Sequence, residues 1–229
     1  PYPSPRPAPP RPPGGRDLKR RATGGNMTLE IVAERGLVLL GCGKMGSAML
    51  AGWLECGLDV SRVHVVEPSE TKADDICRLW GVTVVADADG LDPKLVPGIV
   101  VFAVKPQVLD DVTPAYARYS GPETVFVSIA AGKPTPYLED RLGAGSAIIR
   151  AMPNTPSMVG RGITGCFPNA SVTLEARNAV AELLSVCGEV VWRPSHSSRR
   201  PRIHSFRSDI GTLKFPCMWR LYVLHAQDC

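Results

Sequence analysis

The residues best placed for chemistry are Gly41, Cys42, Gly43, Lys44, Met45 and Gly46, a G-x-G-x-x-G turn. Four apolar residues, Leu37–Leu40, lead into it, and the apolar segment 45–56 follows, with Gly57 suited to the position just past a helix end. Strand, glycine turn and helix in this order suit a dinucleotide pyrophosphate. Gly41 permits the tight turn, Gly43 lets the phosphates approach the backbone, and Gly46 lets helix and strand pack closely. The helix N-terminus brings unpaired N–H groups and the positive end of its dipole to the same place. Cys42 and Lys44 are spacers or ligands; the motif does not distinguish the two.

The ends of later strand-like segments carry further candidates, because open α/β sheets bind ligands beyond the carboxyl ends of their strands. Glu67 lies 21 residues after Gly46, which suits a carboxylate on a ribose 2′-hydroxyl and favours NAD; the alternative is a solvated surface Glu. Ser69 could instead serve a 2′-phosphate, but Lys72 is the only cation nearby, so NAD against NADP stays open. Ala103, Val104, Lys105 and Pro106 close another strand, and the small backbone at Ala103 and Val104 leaves room for a ribose or nicotinamide. Ala131 and Gly132 follow a fifth strand. Met152, Pro153, Asn154 and Thr155 follow a sixth, in a loop that two prolines stiffen and that offers an amide and a hydroxyl.

The elements that must hold these residues alternate regularly. Strands are expected at Leu37–Leu40, Val63–Val66, 82–85, 98–103, 124–129 and 147–150. Helices are expected at 45–56, 69–80, 107–116 and Thr135–Leu142, followed by strand 163–167, helix 173–187 and strand 189–192. Short apolar strands between helices mean an α/β fold: a doubly wound, mostly parallel, Rossmann-type sheet covered on both faces.

Three regions are expected. Residues 1–26 hold eight Pro and no core pattern, which predicts a disordered or polyproline-like extension, read as translated upstream sequence or a wrongly extended start in preference to a transit peptide or a proline-rich ligand for a partner domain. Residues 27–192 form the NAD(P)-binding domain. Residues 193–229 lack Glu, hold three of the four His and show no period, which predicts an irregular basic tail.

Composition excludes other classes. The formal net charge is +4, yet 1–26 carry five Arg and one Lys against one Asp, and 193–229 six Arg and one Lys against two Asp. The body between is acidic, without the basic stripe that nucleic acid requires. Seven Cys form no C-x-x-C pair and no metal-spaced cluster, as expected of reduced thiols in the cytoplasm. The sequence has no apolar run of membrane-spanning length and no secretory h-region. No metal site and no catalytic triad are expected.

Together, GCGKMG, FAVKPQ, SIAAG and RAMPNTP, in this order and spacing, resemble pyrroline-5-carboxylate reductases over about residues 36–192. The resemblance implies a Rossmann domain using NADPH or NADH as hydride donor. Gly41 to Gly46 would hold the pyrophosphate, Glu67 and Ser69 the adenosine ribose, and Ala103, Val104, Lys105, Pro106, Ala131 and Gly132 the nicotinamide side. Met152, Pro153, Asn154 and Thr155 would lie near 1-pyrroline-5-carboxylate, reduced to L-proline in the last step of proline biosynthesis. A protonated imine accepts hydride readily, so no strong general acid is demanded. The resemblance stops after Trp192, where such reductases continue into a helical domain that dimerises and binds the substrate carboxylate. Nothing like its A-V-S-G-S-G-P-A-Y opening occurs here. A shifted reading frame and an inactive, non-dimerising chain are the corresponding expectations. The alternatives are a non-catalytic NAD(P)-binding remnant, or a reductase of the β-hydroxyacid or ketopantoate type.

Overall fold

The computed structural model describes residues 30–193, so expectations about 1–26 and the tail beyond 193 lie outside it. The elements in chain order are α1 (Glu30–Arg35), β1 (Leu37–Leu40), α2 (Lys44–Glu55), β2 (Val63–Val66), α3 (Glu70–Trp80), β3 (Thr83–Val85), β4 (Ile99–Phe102), α4 (Leu109–Val112), β5 (Val125–Ser128), α5 (Thr135–Leu142), β6 (Ala147–Pro153), β7 (Gly162–Pro168), α6 (Leu174–Ser185) and β8 (Gly188–Trp192). They build one eight-stranded sheet in the order β3-β2-β1-β4-β5-β6-β7-β8. Strands β1 to β6 run parallel, β7 is antiparallel to β6, and β8 is parallel to β7. The direction of winding reverses between β1 and β4, the topological switch point where such sheets open a crevice.

Strands β1, β4 and β5 are short apolar runs because both faces are buried. On one face Leu37, Leu39, Val63, Val65, Ile99, Val101, Val125, Val127 and Ile149 pack against Met49, Leu50 and Trp53 of α2 and Val180 and Leu183 of α6. On the other, Val38, Leu40, Val100, Phe102, Phe126 and Ile148 meet Leu109, Tyr116, Leu138 and Leu142. Phe102 stacks on Phe126 and meets Tyr116 edge-on. Full burial of each such side chain contributes about 1.5–3 kcal/mol. The Trp53 indole N–H donates to the Leu183 carbonyl at 2.7 Å, joining the helix after the glycine turn to α6.

Three differences from the sequence expectations have physical causes. The helix expected over 107–116 is a four-residue α4 followed by a 3-10 run over Thr113–Tyr119. Pro114 lacks the N–H that would continue an α-helical ladder there. Residues 151–153, expected in a loop, belong to β6, because β7 pairs with them after β5 has ended opposite Arg150. The six-residue α1 buries only Val32 and leaves no periodic trace in the sequence.

Candidate functional site

The glycine turn sits at the carboxyl end of β1, at the switch point, and its three glycines differ physically. Gly41 adopts φ +83, and a Cβ there would lie 2.9 Å from the Ala103 carbonyl oxygen. A Cβ at Gly46 would lie 2.3 Å from the Gly41 carbonyl oxygen. Both are therefore required by the packing of α2 against β1 and β4. Gly43 is different: its φ is −73, which any residue adopts, and a Cβ there would meet nothing within 4 Å. The fold does not need glycine at this position, which opens onto the N-terminus of the 12-residue α2.

Cys42 is buried, its thiol 3.3 Å from the Ser47 hydroxyl, which in turn donates to the Cys42 carbonyl. Burial pushes the thiol upward in pKa, against a smaller opposing pull from Ser47. Its side chain therefore packs as a neutral group in the core. Lys44 is exposed at the first turn of α2, and Met45 is half-buried against the core.

Glu67 is not a solvated surface residue. It is 6% exposed, and its carboxylate accepts two backbone N–H groups at 3.3 Å: Cys42 in the glycine turn and Ser69 at the start of α3. The Lys72 ammonium lies 3.9 Å away and is largely exposed. Ser69 pairs its hydroxyl with that of Thr71 at 3.2 Å.

Ala103 continues from β4, its N–H donating to the Leu40 carbonyl at 2.8 Å, and with Val104 it forms the wall against which Gly41 packs. Lys105 is exposed and Pro106 half-buried in the turn that follows. Ala131 and Gly132 are exposed beyond β5, with Gly132 at φ +75. Lys133 anchors that loop: it pairs with Asp110 at 3.4 Å and lies 4.0 Å above the Tyr137 ring. The Tyr137 hydroxyl donates to the same carboxylate at 2.5 Å. That bond foremost, then Arg141 and Lys133, holds Asp110 below the usual carboxylate range.

Met152 and Pro153 end β6, and Asn154 and Thr155 open the turn to β7. The Asn154 side-chain oxygen accepts from the Ile163 N–H at 3.0 Å and the Ser157 hydroxyl at 3.1 Å, closing that turn. The 3-10 turn Thr155–Val159 packs against α2. Thus the structure brings Gly41 to Gly46, Glu67, Ser69, Ala103 and Val104 together at the carboxyl ends of β1, β2 and β4, with the ends of β5 and β6 beside them along the same sheet edge.

Sequence reasoning gave Arg150 no role. It is half-buried in β6, its guanidinium 5.9 Å over the Phe167 ring, and its buried Nε has no hydrogen-bond partner among the described residues. The available signal was an Arg inside an apolar strand run. Among the described residues no cluster of His, Cys, Asp or Glu could hold a metal, and no helix is long and apolar enough to cross a membrane.

Strand order, switch point and glycine turn define a Rossmann-type α/β domain. Residues 36–132 match the family model described as NADP oxidoreductase coenzyme F420-dependent. A pyrroline-5-carboxylate reductase of Pseudomonas aeruginosa is 31% identical over 163 residues, 68% of this chain and 56% of that protein. The solved pyrroline-5-carboxylate reductase of Coxiella burnetii superposes with a TM-score of 0.65 at 32% identity, covering 69% of this chain and 58% of that one. The Plasmodium falciparum pyrroline carboxylate reductase, solved with NADP bound, shares the fold at 24% identity and a TM-score of 0.60, covering 70% of this chain and 58% of that one. The chain belongs to the pyrroline-5-carboxylate reductase family and spans a little over half the length of these relatives, their N-terminal part.

Proposed function

We propose that the crevice at the carboxyl ends of β1 and β4 binds NADH or NADPH, and that this chain carries the cofactor-binding half of a pyrroline-5-carboxylate reductase. Gly43 carries the reading: a glycine with an ordinary φ and empty space around it has no folding purpose, whereas a bound pyrophosphate would use that space. The first amides of α2, which lack intrahelical acceptors, would donate to the phosphates. Glu67 and Ser69 would receive the adenosine ribose. Ala103, Val104, Lys105, Pro106, Ala131 and Gly132 would line the nicotinamide, the small residues Ala103, Val104, Ala131 and Gly132 leaving space for a flat ring.

When bound, the cofactor supplies a hydride for the C=N carbon of 1-pyrroline-5-carboxylate, giving L-proline. The chain's own contribution is to orient the ring and exclude water around it. Met152, Pro153, Asn154 and Thr155 are assigned to the substrate side, where Asn154 shapes the loop through its two accepted hydrogen bonds. No side chain here is assigned to proton transfer.

The test is to mix the purified full chain with NADH or NADPH and 1-pyrroline-5-carboxylate, following loss of reduced nicotinamide and appearance of proline. Turnover supports the reductase reading. Cofactor binding without turnover supports the non-catalytic alternative, and absence of binding to either cofactor rejects both.

A further inference from the structure

We propose that a cleft at the opposite end of the sheet from the glycine turn holds this chain's own proline-rich segment, residues 1–13. The cleft encloses about 280 Å³, with Pro93, Leu95 and Val96 on one side and Tyr119, Pro122 and Glu123 on the other. These residues precede β4 and β5, so the cleft lies at the amino ends of the strands, away from the cofactor site. Its walls are apolar: Val96 is 47% exposed, with Pro93 and Pro122 also open to solvent. Tyr119 is buried, and its hydroxyl accepts from Arg118 at 3.1 Å, while its own proton meets no acceptor among the described residues. A ligand for this surface therefore brings compact apolar rings and an accepting carbonyl. A polyproline II segment brings both, and its proline residues have no N–H to leave unpaired. Grooves lined by aromatic side chains recognise such segments in the same way.

Position and charge favour the chain's own segment as the occupant. All eight prolines of residues 1–26 fall within 1–13. The described chain starts at α1, beside the cleft. Ile31 is packed on Gly98, two residues after Val96, where a Cβ would lie 2.3 Å from the Ile31 Cγ2. Arg35, at the other end of α1, pairs with Glu123 at 3.4 Å. Residues 14–29 join the segment to α1, and a coil of that length reaches roughly 20 Å, which sets an effective concentration on the order of millimolar. Residues 1–13 carry Arg6 and Arg11 and no acid. On the rim, Glu123 pairs with Arg35, and Asp89 pairs with Arg118 at 3.8 Å. Both carboxylates are exposed and keep acceptor capacity for a second guanidinium.

Amide hydrogen exchange of the full chain reads the docking at Leu95, Gly121 and Glu123. It is compared with a variant carrying Pro9→Ser, Pro10→Ser, Pro12→Ser and Pro13→Ser, and with Val96→Asp in the cleft, unfolding temperatures confirming the fold of each. The expected result is exchange several-fold faster at these amides in both variants, with no further gain when the two sets are combined. Arg11→Glu speeds exchange as well, by a margin that narrows as salt screens the rim charges. Unchanged exchange in the folded proline variant overturns the proposal, as does protection lost in Val96→Asp but kept in the proline variant, which marks a different occupant. Protection that rises with chain concentration places the segment in a second copy and overturns docking within one chain.

Discussion

The Glu67 carboxylate, at the end of β2, accepts the backbone N–H of Cys42 in the glycine turn after β1 at 3.3 Å, although 25 residues separate them. This bond fixes the turn from outside α2, so the amides at the helix start are held by a neighbouring strand as well as by their own glycines. A preorganised turn loses less conformational freedom when a ligand arrives.

Gly43→Ala separates ligand binding from folding. The added methyl meets no protein atom within 4 Å, so the stability loss should stay below about 1 kcal/mol, the N-cap preference of glycine over alanine. Affinity for a reduced nicotinamide dinucleotide should fall about tenfold or more, as one charge-assisted hydrogen bond is displaced. Paired denaturant unfolding and fluorescence titrations check both statements.

Gly46→Ala should do the reverse and damage the fold first. Its Cβ would sit 2.3 Å from the Gly41 carbonyl oxygen, forcing α2 away from β1. Overpacking of this kind costs about 1–3 kcal/mol, visible as a lower unfolding midpoint without any ligand present.

Trp53→Ala removes the largest fully buried side chain and the indole N–H bond to Leu183. A loss of about 3–5 kcal/mol is expected in urea unfolding. Trp53→Phe should cost less, since it retains most of the packing and forfeits mainly the hydrogen bond.

Alkaline pH should destabilise the folded chain. Burial raises the Cys166 thiol from 9.0 to about 12 and the Cys187 thiol from 9.0 to about 11. Above pH 9.0 the unfolded chain releases these protons while the folded chain still holds them. Their stabilisation is therefore complete below that pH and declines as pH rises towards the folded values. Thermal unfolding across this range should show a falling midpoint, and a Cys166→Ala, Cys187→Ala double variant should show a shallower fall.

How much of this was legible follows from where the information lies. β1 could be bounded to the residue, because a strand buried on both faces is apolar throughout and ends where glycine begins, and β2 could be bounded by its three valines and the carboxylate that follows, with His64 the one polar residue in the run. The setting of Glu67 was not legible: 21 residues from Gly46 suggested a ribose partner, but burial and the bond to Cys42 depend on how two strand ends meet. The 3-10 run after α4 was signalled by Pro114, which the helical reading of 107–116 passed over. The turn between the antiparallel strands β6 and β7 is closed by Asn154 accepting from Ile163, a contact that no periodicity encodes. The site's residues were thus visible as a set of strand ends, while the hydrogen bonds that shape them were not.

The most direct test of the central claim is a fluorescence titration of the full chain with NADH, run beside Gly43→Ala at matched folded fraction. The account predicts saturable binding to the unsubstituted chain and a large loss of affinity in the variant. Absence of saturable binding, or equal binding by the two proteins, would contradict the assignment of the Gly41 to Gly46 turn as a dinucleotide site.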